Sequence, residues 1–591
     1  MAFSGIVLAS VMQELKSKII EGRIEKIYQP EKFEINFLVH RNNIYRLLIS
    51  AHPVYSRIHL TEGEKENPLS PPTFCMLLRK HLSGGRILKI EQEGLDRILR
   101  LTVRTRDEFD LIEEKILLVE IMGKHSNIIL LDEDEVILGS IKTVTEAVSR
   151  HRTVIPGKPY NPPPYGEKIN LTDSKIISPD ELRKTLISKP EQKISKALIS
   201  IFNGLDPLLA EEITFRAALD PQSTTEKIIT EEINRLATVL QTISETIKSG
   251  NWHPEILTDK NKNFKDFTCL ELKSYPDTLR IGYNKINEML DDFFCTKIHQ
   301  QKYKQLRQSL LQLVNDELKK VKQKRKGLAK KLKKAEKCEE LQLWGELLTS
   351  QLYLAKKGQD KVNLINYYHP EQEQITVSLD PRLSPGENAQ KFFKRYRKLK
   401  KSLPLAKKEL KKSLQELNYL EGLKYNLESG SWEDIRDIKE ELLREGYLKK
   451  SHKKQKKHEI KTKEVASKPL KFLSSDGYEI FVGKNNQQND YLTLKAASKE
   501  DLWLHVKDIP GSHVVVKGEN IPVETLKEAA LLAAYYSKGS NSSNVPVDYT
   551  KIKHVKKPRQ AKPGMVTYDQ HKTLYVTADE KQIDKIARVN N

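Results

Sequence analysis

The sequence predicts a multidomain protein of the α+β class, and three observations lead to that prediction. The chain has 591 residues, which at a prior of ~150 residues per domain indicates about four modules. Its first and last parts mix strand-like alternation of apolar and polar residues with helical periodicity. Between them, two long apolar seams repeat with the heptad spacing of a coiled coil.

Residues 1–170 are predicted to form an α+β domain. An opening helix precedes runs such as KFEINFLVH, RILRLTV and KILLVEIM, whose period of two is typical of strands. The helical run PTFCMLLRKHL lies among them. The prolines of NPPPYGEK, at 161–168, predict a linker.

Residues 175–285 are predicted to form a helical domain with a helix–turn–helix signature. Gly204 is expected to close one helix, Asp206 to cap the next, and Pro207 to occupy its first turn. Helix-hairpin-helix modules use such turns to offer backbone N–H groups to a phosphate. Asp206 places negative charge where that anion would sit, so a purely structural turn is favoured.

Residues 290–430 are predicted to form a long antiparallel coiled-coil arm. One seam runs from Val314 to Ala335 and the second from Phe392 to Leu420. The segment between them contains two short strand candidates, which predict a small tip at about 360–386. Pro404 is expected to kink the returning helix.

The arm and the segment after it are strongly basic. Ten of the sixteen residues in KKVKQKRKGLAKKLKK are Lys or Arg, in a chain whose formal net charge is +21. Because like charges repel along a helix, an arm that contacts phosphates is favoured over a merely solvated face. The candidate rRNA-contacting residues are Lys319, Lys320, Lys324, Arg325, Lys330 and Lys331. Residues 445–469 are predicted to be a disordered basic linker.

Residues 470–580 are predicted to form an α/β RNA-binding domain around DLWLHVKDIPGSHVVV, which begins at position 501. Alternation sends Leu502, Leu504 and Val506 to one side and Asp501, Trp503 and His505 to the other. Trp503 offers a plane for a base and the imidazoles offer donors, while Asp501 could accept from a base edge or orient a histidine. The competing interpretation is a Trp buried under the adjacent helix. The candidate residues are Asp501, Trp503, His505, Ser512, His513, Lys556, Lys557 and Arg559.

Several classes of site and location are not indicated. The four cysteines are scattered without metal-ligand spacing, so reduced thiols, no disulfide and no metal are expected. There is no P-loop and no supported catalytic triad, and no cofactor is expected. The N-terminus lacks the pattern of a signal peptide, and no apolar run of ~18 residues occurs. We therefore expect a cytoplasmic protein with no membrane partner.

Several motifs, in order along essentially the whole chain, resemble the NFACT family. The 501–516 stretch, with VGKNNQQNDYLT before it and EAALLAAYYSKGSNSSNVPVDYT after it, resembles the family's C-terminal RNA-binding module. SAHPVYSRIHLT and VEIMGKHSNIILLD resemble its N-terminal domain, and LDPRLSPGENAQKFFKRYRKLK resembles its arm.

The resemblance implies a role in ribosome quality control. Such proteins bind a large ribosomal subunit that still holds peptidyl-tRNA, through its rRNA. They recruit alanyl-tRNA and direct alanine addition without mRNA, and the tail marks the peptide for degradation. A small S4-type RNA-binding partner is also implied. Peptide bond formation would belong to the ribosome, and this protein would be non-catalytic and position its substrates.

The resemblance also assigns candidate tRNA-binding residues. The family's Asp-Arg pair corresponds to Asp96 and Arg97, and its Asp-Trp-His triplet to the residues at 501, 503 and 505. Arg97 could donate two hydrogen bonds to a phosphate or a base edge, while Asp96 accepts one from an amino group. From the residues alone, a surface salt bridge is the competing interpretation. Further candidates near another turn are Glu120, Met122, Lys124 and His125.

Two other functional classes compete with this one. The first is a surface fibronectin- or fibrinogen-binding adhesin, but no export signal supports it, and a basic protein binds many extracellular ligands nonspecifically. The N-terminal layout also resembles formamidopyrimidine-type DNA glycosylases, which suggests a nucleic-acid-cleaving enzyme. The chain starts with MAFSGI and lacks that family's Pro-Glu pair and zinc-finger cysteines. We therefore expect a glycosylase-like scaffold without the chemistry.

Overall fold

The computed structural model describes residues 3–107, 109–147, 149–150, 152–164, 168–173, 178–449, 468–559 and 561–589. The chain divides into two compact units, residues 1–300 and 301–591. Both contain helices and sheets, which confirms the α+β class. Most of the predicted basic linker, residues 450–467, lies outside the described residues. Within the part that the structure describes, no helix is both long and apolar enough to cross a membrane.

The first unit is built on a nine-stranded antiparallel sheet in the order β4-β3-β2-β1-β5-β6-β7-β8-β9. Its strands are β1 (Arg23–Glu31), β2 (Glu34–His40), β3 (Ile44–Ser50), β4 (Arg57–Leu60), β5 (Arg86–Gln92), β6 (Ile98–Arg106), β7 (Ile112–Glu120), β8 (Asn127–Leu131) and β9 (Ile137–Ser140). Helices α1 (Gly5–Ile19) and α2 (Thr73–Leu82) contribute to its main core.

Strand alternation sends opposite faces of this sheet into two different cores. Leu99, Leu101 and Val103 of β6 point into the main core. On the other face, Leu118 and Ile129 belong to a smaller core. Both faces are therefore covered over this part of the sheet, and the ends of the strands are left to carry exposed polar residues.

Four helices follow: α3 (Pro179–Ile187), α4 (Ile194–Ile201), α5 (Pro207–Arg216) and α6 (Thr230–Ser249). Strands β10 (Ile169–Asn170) and β11 (Phe202–Asn203) pair in parallel. The segment predicted as a helical domain, 175–285, also contains strands, because β12 (Glu255–Thr258), β13 (Phe264–Thr268) and β14 (Arg280–Gly282) form a three-stranded sheet. Its short strands bury Ile256 and Phe267, which stabilises extended backbone.

The predicted start of α5 is confirmed, whereas Gly204 does not close α4, because that helix ends at Ile201 and β11 lies between them. The Asp206 side chain accepts a hydrogen bond from Leu209 N at 2.9 Å, and Pro207 begins the helix. Gly204 has φ +85°, and a Cβ there would lie 2.7 Å from Leu95 Cβ, so both the backbone conformation and the space require glycine. Burial raises the pKa of Asp206 to about 6.

Helix α7 (Ile286–Glu336) begins before the boundary at residue 300, and within the second unit it pairs with α9 (Pro385–Ser429), which runs in the opposite direction. Tyr303 donates to Gly430 O at 2.6 Å, and Lys324 pairs with Glu409 at 2.9 Å, so residue numbers fall on α9 as they rise on α7. α9 continues through Pro404. The other elements here are α8 (Cys338–Ser350), β15 (Lys361–Ile365), β16 (Gln374–Ser378) and α10 (Trp432–Arg444).

The C-terminal part of this unit contains a seven-stranded antiparallel sheet in the order β24-β21-β19-β20-β18-β17-β25. Its elements are β17 (Leu470–Leu473), β18 (Glu479–Val482), α11 (Asn486–Tyr491), β19 (Leu502–Val506), β20 (Val514–Val516), α12 (Val523–Tyr535), β21 (Val545–Lys551), β22 (Val555–Lys556), β23 (Thr567–Tyr568), β24 (Lys572–Val576), α13 (Glu580–Ile583) and β25 (Ala587–Val589). Leu504 and Val506 share one core with α12, and Trp503 belongs to a second core.

Candidate nucleic-acid interface

Asp96 and Arg97 lie in the loop that leads into β6. Gly94, two residues before Asp96, has φ +54° and makes the turn. The Asp96 side chain is half-buried, and its Oδ1 accepts a hydrogen bond from Asn203 Nδ2 at 2.9 Å. Arg97 is exposed, and its carbonyl accepts from Ile121 N at 2.8 Å. The carboxylate is thus held in place, while the guanidinium is presented to solvent.

Two residues beside this pair were missed by the sequence analysis. Asn203 Oδ1 accepts from Gly204 N at 2.9 Å, which orients the amide so that its NH₂ faces Asp96. Lys168 donates to Ile199 O at 2.8 Å, and burial, followed by the charge of Arg97, lowers the pKa of Lys168. The signal for Asn203 was its place immediately before the turn glycine, where a side-chain acceptor can bond the backbone.

The turn after β7 lies at the same end of the sheet as the Asp96–Arg97 loop. Ile98 of β6 pairs with Glu120 of β7, so the segments preceding and following these residues are neighbours. Lys124 and His125 are exposed on a short 3-10 turn, and Met122 is half-buried. The structure therefore places three of the four further candidates near Asp96 and Arg97.

The expectation that Glu120 contacts tRNA is wrong, because its side chain cannot reach a ligand in this structure. Its side chain is 0% exposed. Arg152 donates to its two oxygens at 2.8 and 2.5 Å, and Tyr160 OH donates at 2.9 Å. These bonds satisfy a charge that burial would otherwise make costly. Its role is structural: it connects the end of β7 to the segment that covers the second core.

The expectation that Trp503 offers an open plane to a base is also wrong. The ring is 0% exposed. It lies 4.9 Å from the ring of Tyr568 and 5.8 Å from the nearly parallel ring of His505. Alternation was predicted correctly, but this face of β19 is covered by residues such as Leu492 and Ile552 rather than by solvent.

Asp501 is buried and satisfied within the domain, so it neither meets a base edge nor orients a histidine. It accepts from Lys517 Nζ at 2.8 Å, Ser498 N at 2.8 Å and Gly518 N at 3.1 Å. Although burial acts to raise it, these bonds hold the pKa of Asp501 below its ordinary value. Asp501 therefore fixes the loop that precedes β19.

Ser512 and His513 are likewise buried rather than presented as surface donors. His513 Nδ1 lies 2.7 Å from Thr493 Oγ1. Burial, and then the neighbouring His505, lower the pKa of His513 well below its ordinary value. His505 is half-buried, and burial lowers its pKa to about 4. Both imidazoles are therefore neutral at physiological pH.

The basic candidates are mostly exposed. Lys556 and Arg559 lie on the surface, whereas Lys557 forms an ion pair with Asp490. On α7, Lys319, Lys320, Lys324, Lys330 and Lys331 are exposed, and Arg325 is half-buried. Lys320 pairs with Glu317 and Lys324 with Glu409, so these two are partly neutralised.

The C-terminal domain is joined to the base of the helix pair by a polar contact. Asn486 donates to Glu441 at 3.0 Å, and Tyr419 OH donates to the same oxygen at 2.8 Å. Burial raises the pKa of Glu441 to about 7. Lys562 pairs with Glu416 at 2.9 Å, and its ammonium lies 4.5 Å from the Tyr419 ring centre.

Comparison with known proteins identifies the family. The NFACT N-terminal and middle domains match residues 4–461, and the NFACT protein RNA binding domain matches residues 468–570. The chain belongs to the NFACT family. Within this family it is 41% identical to the Rqc2 homolog RqcH of Bacillus subtilis, over 100% of both chains.

Other similarities cover less of the chain. The human ribosome quality control complex subunit NEMF is 22% identical over 60% of this chain and 33% of its own length. Among solved structures, the fibrinogen binding protein from Staphylococcus aureus is 30% identical, covers 50% of this chain and 99% of its own, and has a TM-score of 0.42.

Proposed function

We propose that this protein is a ribosome quality control factor. It binds stalled large ribosomal subunits that carry peptidyl-tRNA, recruits alanyl-tRNA and directs mRNA-independent addition of alanine, which marks the nascent chain for degradation. The observation that carries the proposal is the full-length similarity, 41% over 100% of both chains, to a protein named as an Rqc2 homolog.

The tRNA contact is proposed at the Asp96–Arg97 edge. Arg97 is exposed and close enough to Lys168 for its charge to lower the pKa of that lysine. Two neighbouring cations favour binding of a polyanion, and a guanidinium can donate two hydrogen bonds to a phosphate or a base edge. Asp96, held by Asn203, supplies an oriented acceptor. Lys124 and His125 extend the same surface.

The rRNA contacts are proposed on the exposed basic faces of the second unit. The lysines of α7 carry charge along a helix pair, and Lys556 and Arg559 carry it on the C-terminal domain. Because each phosphate contact releases condensed counterions, binding through these faces is expected to weaken steeply with salt.

The proposal also covers the protein's location, its partner and its division into domains. The protein is non-catalytic, acts in the cytoplasm and works with a small S4-type RNA-binding partner. The chain divides into four parts: a tRNA-contacting domain (1–170) with a glycosylase-like scaffold, a helix-hairpin-helix-type domain (175–285), a coiled-coil arm (290–430) and an RNA-binding domain (470–580). The +21 formal charge supports RNA as the partner.

The test is a reconstituted alanine-tailing assay with a matched control. Asp96→Ala with Arg97→Ala is expected to abolish tailing while binding to large subunits persists. The control, Arg106→Ala with Asp110→Ala, removes the same two charges from an exposed ion pair at the other end of β6. It is expected to tail normally. Wild-type tailing by the first variant would refute the assignment.

The adhesin alternative is not favoured. It corresponds to the name of a structural neighbour that covers half of the chain with a TM-score of 0.42, whereas the full-length relative is named for ribosome quality control.

A further inference from the structure

The second unit contains a cleft of ≈ 240 Å³ between helix α9 and the C-terminal domain. Asn418, Gly422 and Asn426 of α9 form one wall. The other wall includes His505 and Tyr568. This volume is below the ~300–1,000 Å³ of sites for drug-sized ligands. The cleft can therefore hold one ring system, but not a peptide segment or a folded RNA element.

The lining of this cleft combines apolar residues, such as Ile509 and Met565, with polar side chains that are largely uncharged. Asn418 and Asn426 bring side-chain amides, each of which offers both donors and an acceptor. The amide of Asn489 is already engaged, since it accepts from His513 N and donates to Gly511 O. The His505 imidazole is neutral, because burial lowers its pKa to about 4. Asp508, which is exposed, contributes a carboxylate. Such a lining disfavours a phosphate inside the cleft and suits a neutral group with hydrogen-bonding edges.

The half-buried rings of His505 and Tyr568 form the floor of the cleft, and the fully buried indole of Trp503 lies behind them. Trp503 and Tyr568 lie 4.9 Å apart between ring centres, and His505 stacks on Trp503. The Trp503 Nε1–H is buried and has no hydrogen-bond partner among the residues that the structure describes. Buried donors of this kind are rare and call for an explanation. A ligand acceptor that reaches the Nε1–H would satisfy this donor.

Cations are present on the segment that also contributes lining residues 563–566 to the cleft. Lys556 and Arg559 are exposed on the segment between β21 and β23. Lys562 lies beside the joint, paired with Glu416 and close to the ring of Tyr419. Proteins that bind single-stranded nucleic acid combine basic surfaces that hold the backbone with aromatic surfaces that hold bases.

We propose that this cleft takes one unpaired nucleobase of an RNA strand, while the basic residues around it hold the flanking phosphates. The inference rests on the proposed function, and it specifies what the RNA-binding domain recognises. A base has a flat ring for the aromatic floor and polar edges for the asparagine amides. It also carries no charge that the neutral lining would have to balance.

The test compares a short single-stranded RNA with the same RNA carrying one abasic position. Full-length wild-type protein is expected to bind the intact RNA about tenfold more tightly, because stacking and edge contacts to one base are lost in the abasic strand. Equal affinities for the two RNAs would overturn the proposal.

Two glycines on the helix pair provide a matched pair of variants. A Cβ at Gly422 would lie 3.8 Å from Pro510 Cβ, an ordinary contact, so Gly422→Leu places its side chain in the cleft without a backbone clash. At Gly327 of α7 a Cβ would meet nothing within 4 Å. Gly422→Leu is expected to abolish the preference for the intact RNA, and Gly327→Leu to retain it. Retention by Gly422→Leu would overturn the proposal.

A third variant separates binding from stability. Trp503→Phe removes the unpartnered N–H and keeps an aromatic ring, so thermal stability is expected to stay the same or rise. The preference for the intact RNA is expected to fall about fivefold. An unchanged preference would show that the indole N–H does not contact the base.

Co-sedimentation of the same proteins with large ribosomal subunits distinguishes the two levels of inference. If the wild type binds subunits but shows no base preference, the cleft assignment fails and the proposed function stands. If Gly422→Leu loses subunits with no dependence on the base, the cleft binds protein instead. If the wild type binds neither RNA nor subunits, both inferences fail.

Discussion

Removing the Glu120 carboxylate is expected to destabilise the N-terminal domain. In this structure Glu120 is fully buried and accepts from Arg152 and Tyr160. Glu120→Ala would leave the Arg152 guanidinium, whose side chain is 11% exposed, without its counterion. The sequence analysis instead placed Glu120 among the further candidates for tRNA contact, because it lies near a turn. The two interpretations predict different outcomes for the same variant.

The magnitude follows from the burial of the pair. Breaking a buried ion pair by removing one partner costs about 3–5 kcal/mol, because the remaining charge is left without compensation. For a domain of this size, such a loss lowers the midpoint of thermal unfolding by about 10 °C. Lys124→Ala and His125→Ala, at exposed positions in the following turn, are expected to change it by no more than ~1 °C.

The assay is thermal unfolding combined with tRNA binding below the transition. Adding Arg152→Met to Glu120→Ala removes the orphaned cation and is expected to restore about half of the lost stability. Binding of tRNA is expected to recover in parallel. If Glu120→Ala unfolds within about 1 °C of the wild type, the structural role is refuted. If stability recovers and tRNA binding does not, Glu120 has a direct role in binding.

Three further predictions follow from single contacts. Asn203→Ala should weaken binding of alanine tRNA about fivefold in a filter-binding assay, because it removes the bond that orients Asp96; unchanged affinity would exclude the positioning role. Lys330→Gln with Lys331→Gln should reduce the slope of log affinity against log salt for large subunits by about 0.7–0.9 per lysine, and an unchanged slope would place the contact elsewhere. The pKa of Glu441 is raised to about 7 in the folded protein, so its contribution to stability grows as pH falls from about 7 toward 4.5 and is lost as pH rises through 7. Glu441→Gln should flatten this dependence in thermal unfolding measured between pH 5 and 8, and an unaltered pH profile would contradict the assignment.

Local signals in the sequence were sufficient for the elements that depend on neighbouring residues. The cap at Asp206 is made with an N–H three residues away, so its sequence pattern contains both partners. The alternation in β19 likewise correctly separates Leu504 and Val506 from Trp503. Long helices were predictable because the seam repeats over many turns.

Burial set by distant residues could not be predicted in this way. Glu120 is covered by partners 32 and 40 positions later in the chain. Trp503 is enclosed by residues from three separate segments, and Asp501 is neutralised by Lys517 across a turn. Polar and aromatic residues in a strand therefore indicated the correct face but not its exposure. The short strands of the 255–282 sheet were missed because their patterns are only three to five residues long.

The most direct measurement of the central claim is the affinity of the purified wild-type protein for large ribosomal subunits and tRNA at physiological salt. The account predicts saturable binding to subunits and enrichment of alanine tRNA in the complex, with the tRNA lost when Asp96 and Arg97 are both replaced by alanine. A wild-type protein that binds neither subunits nor tRNA under these conditions would contradict it.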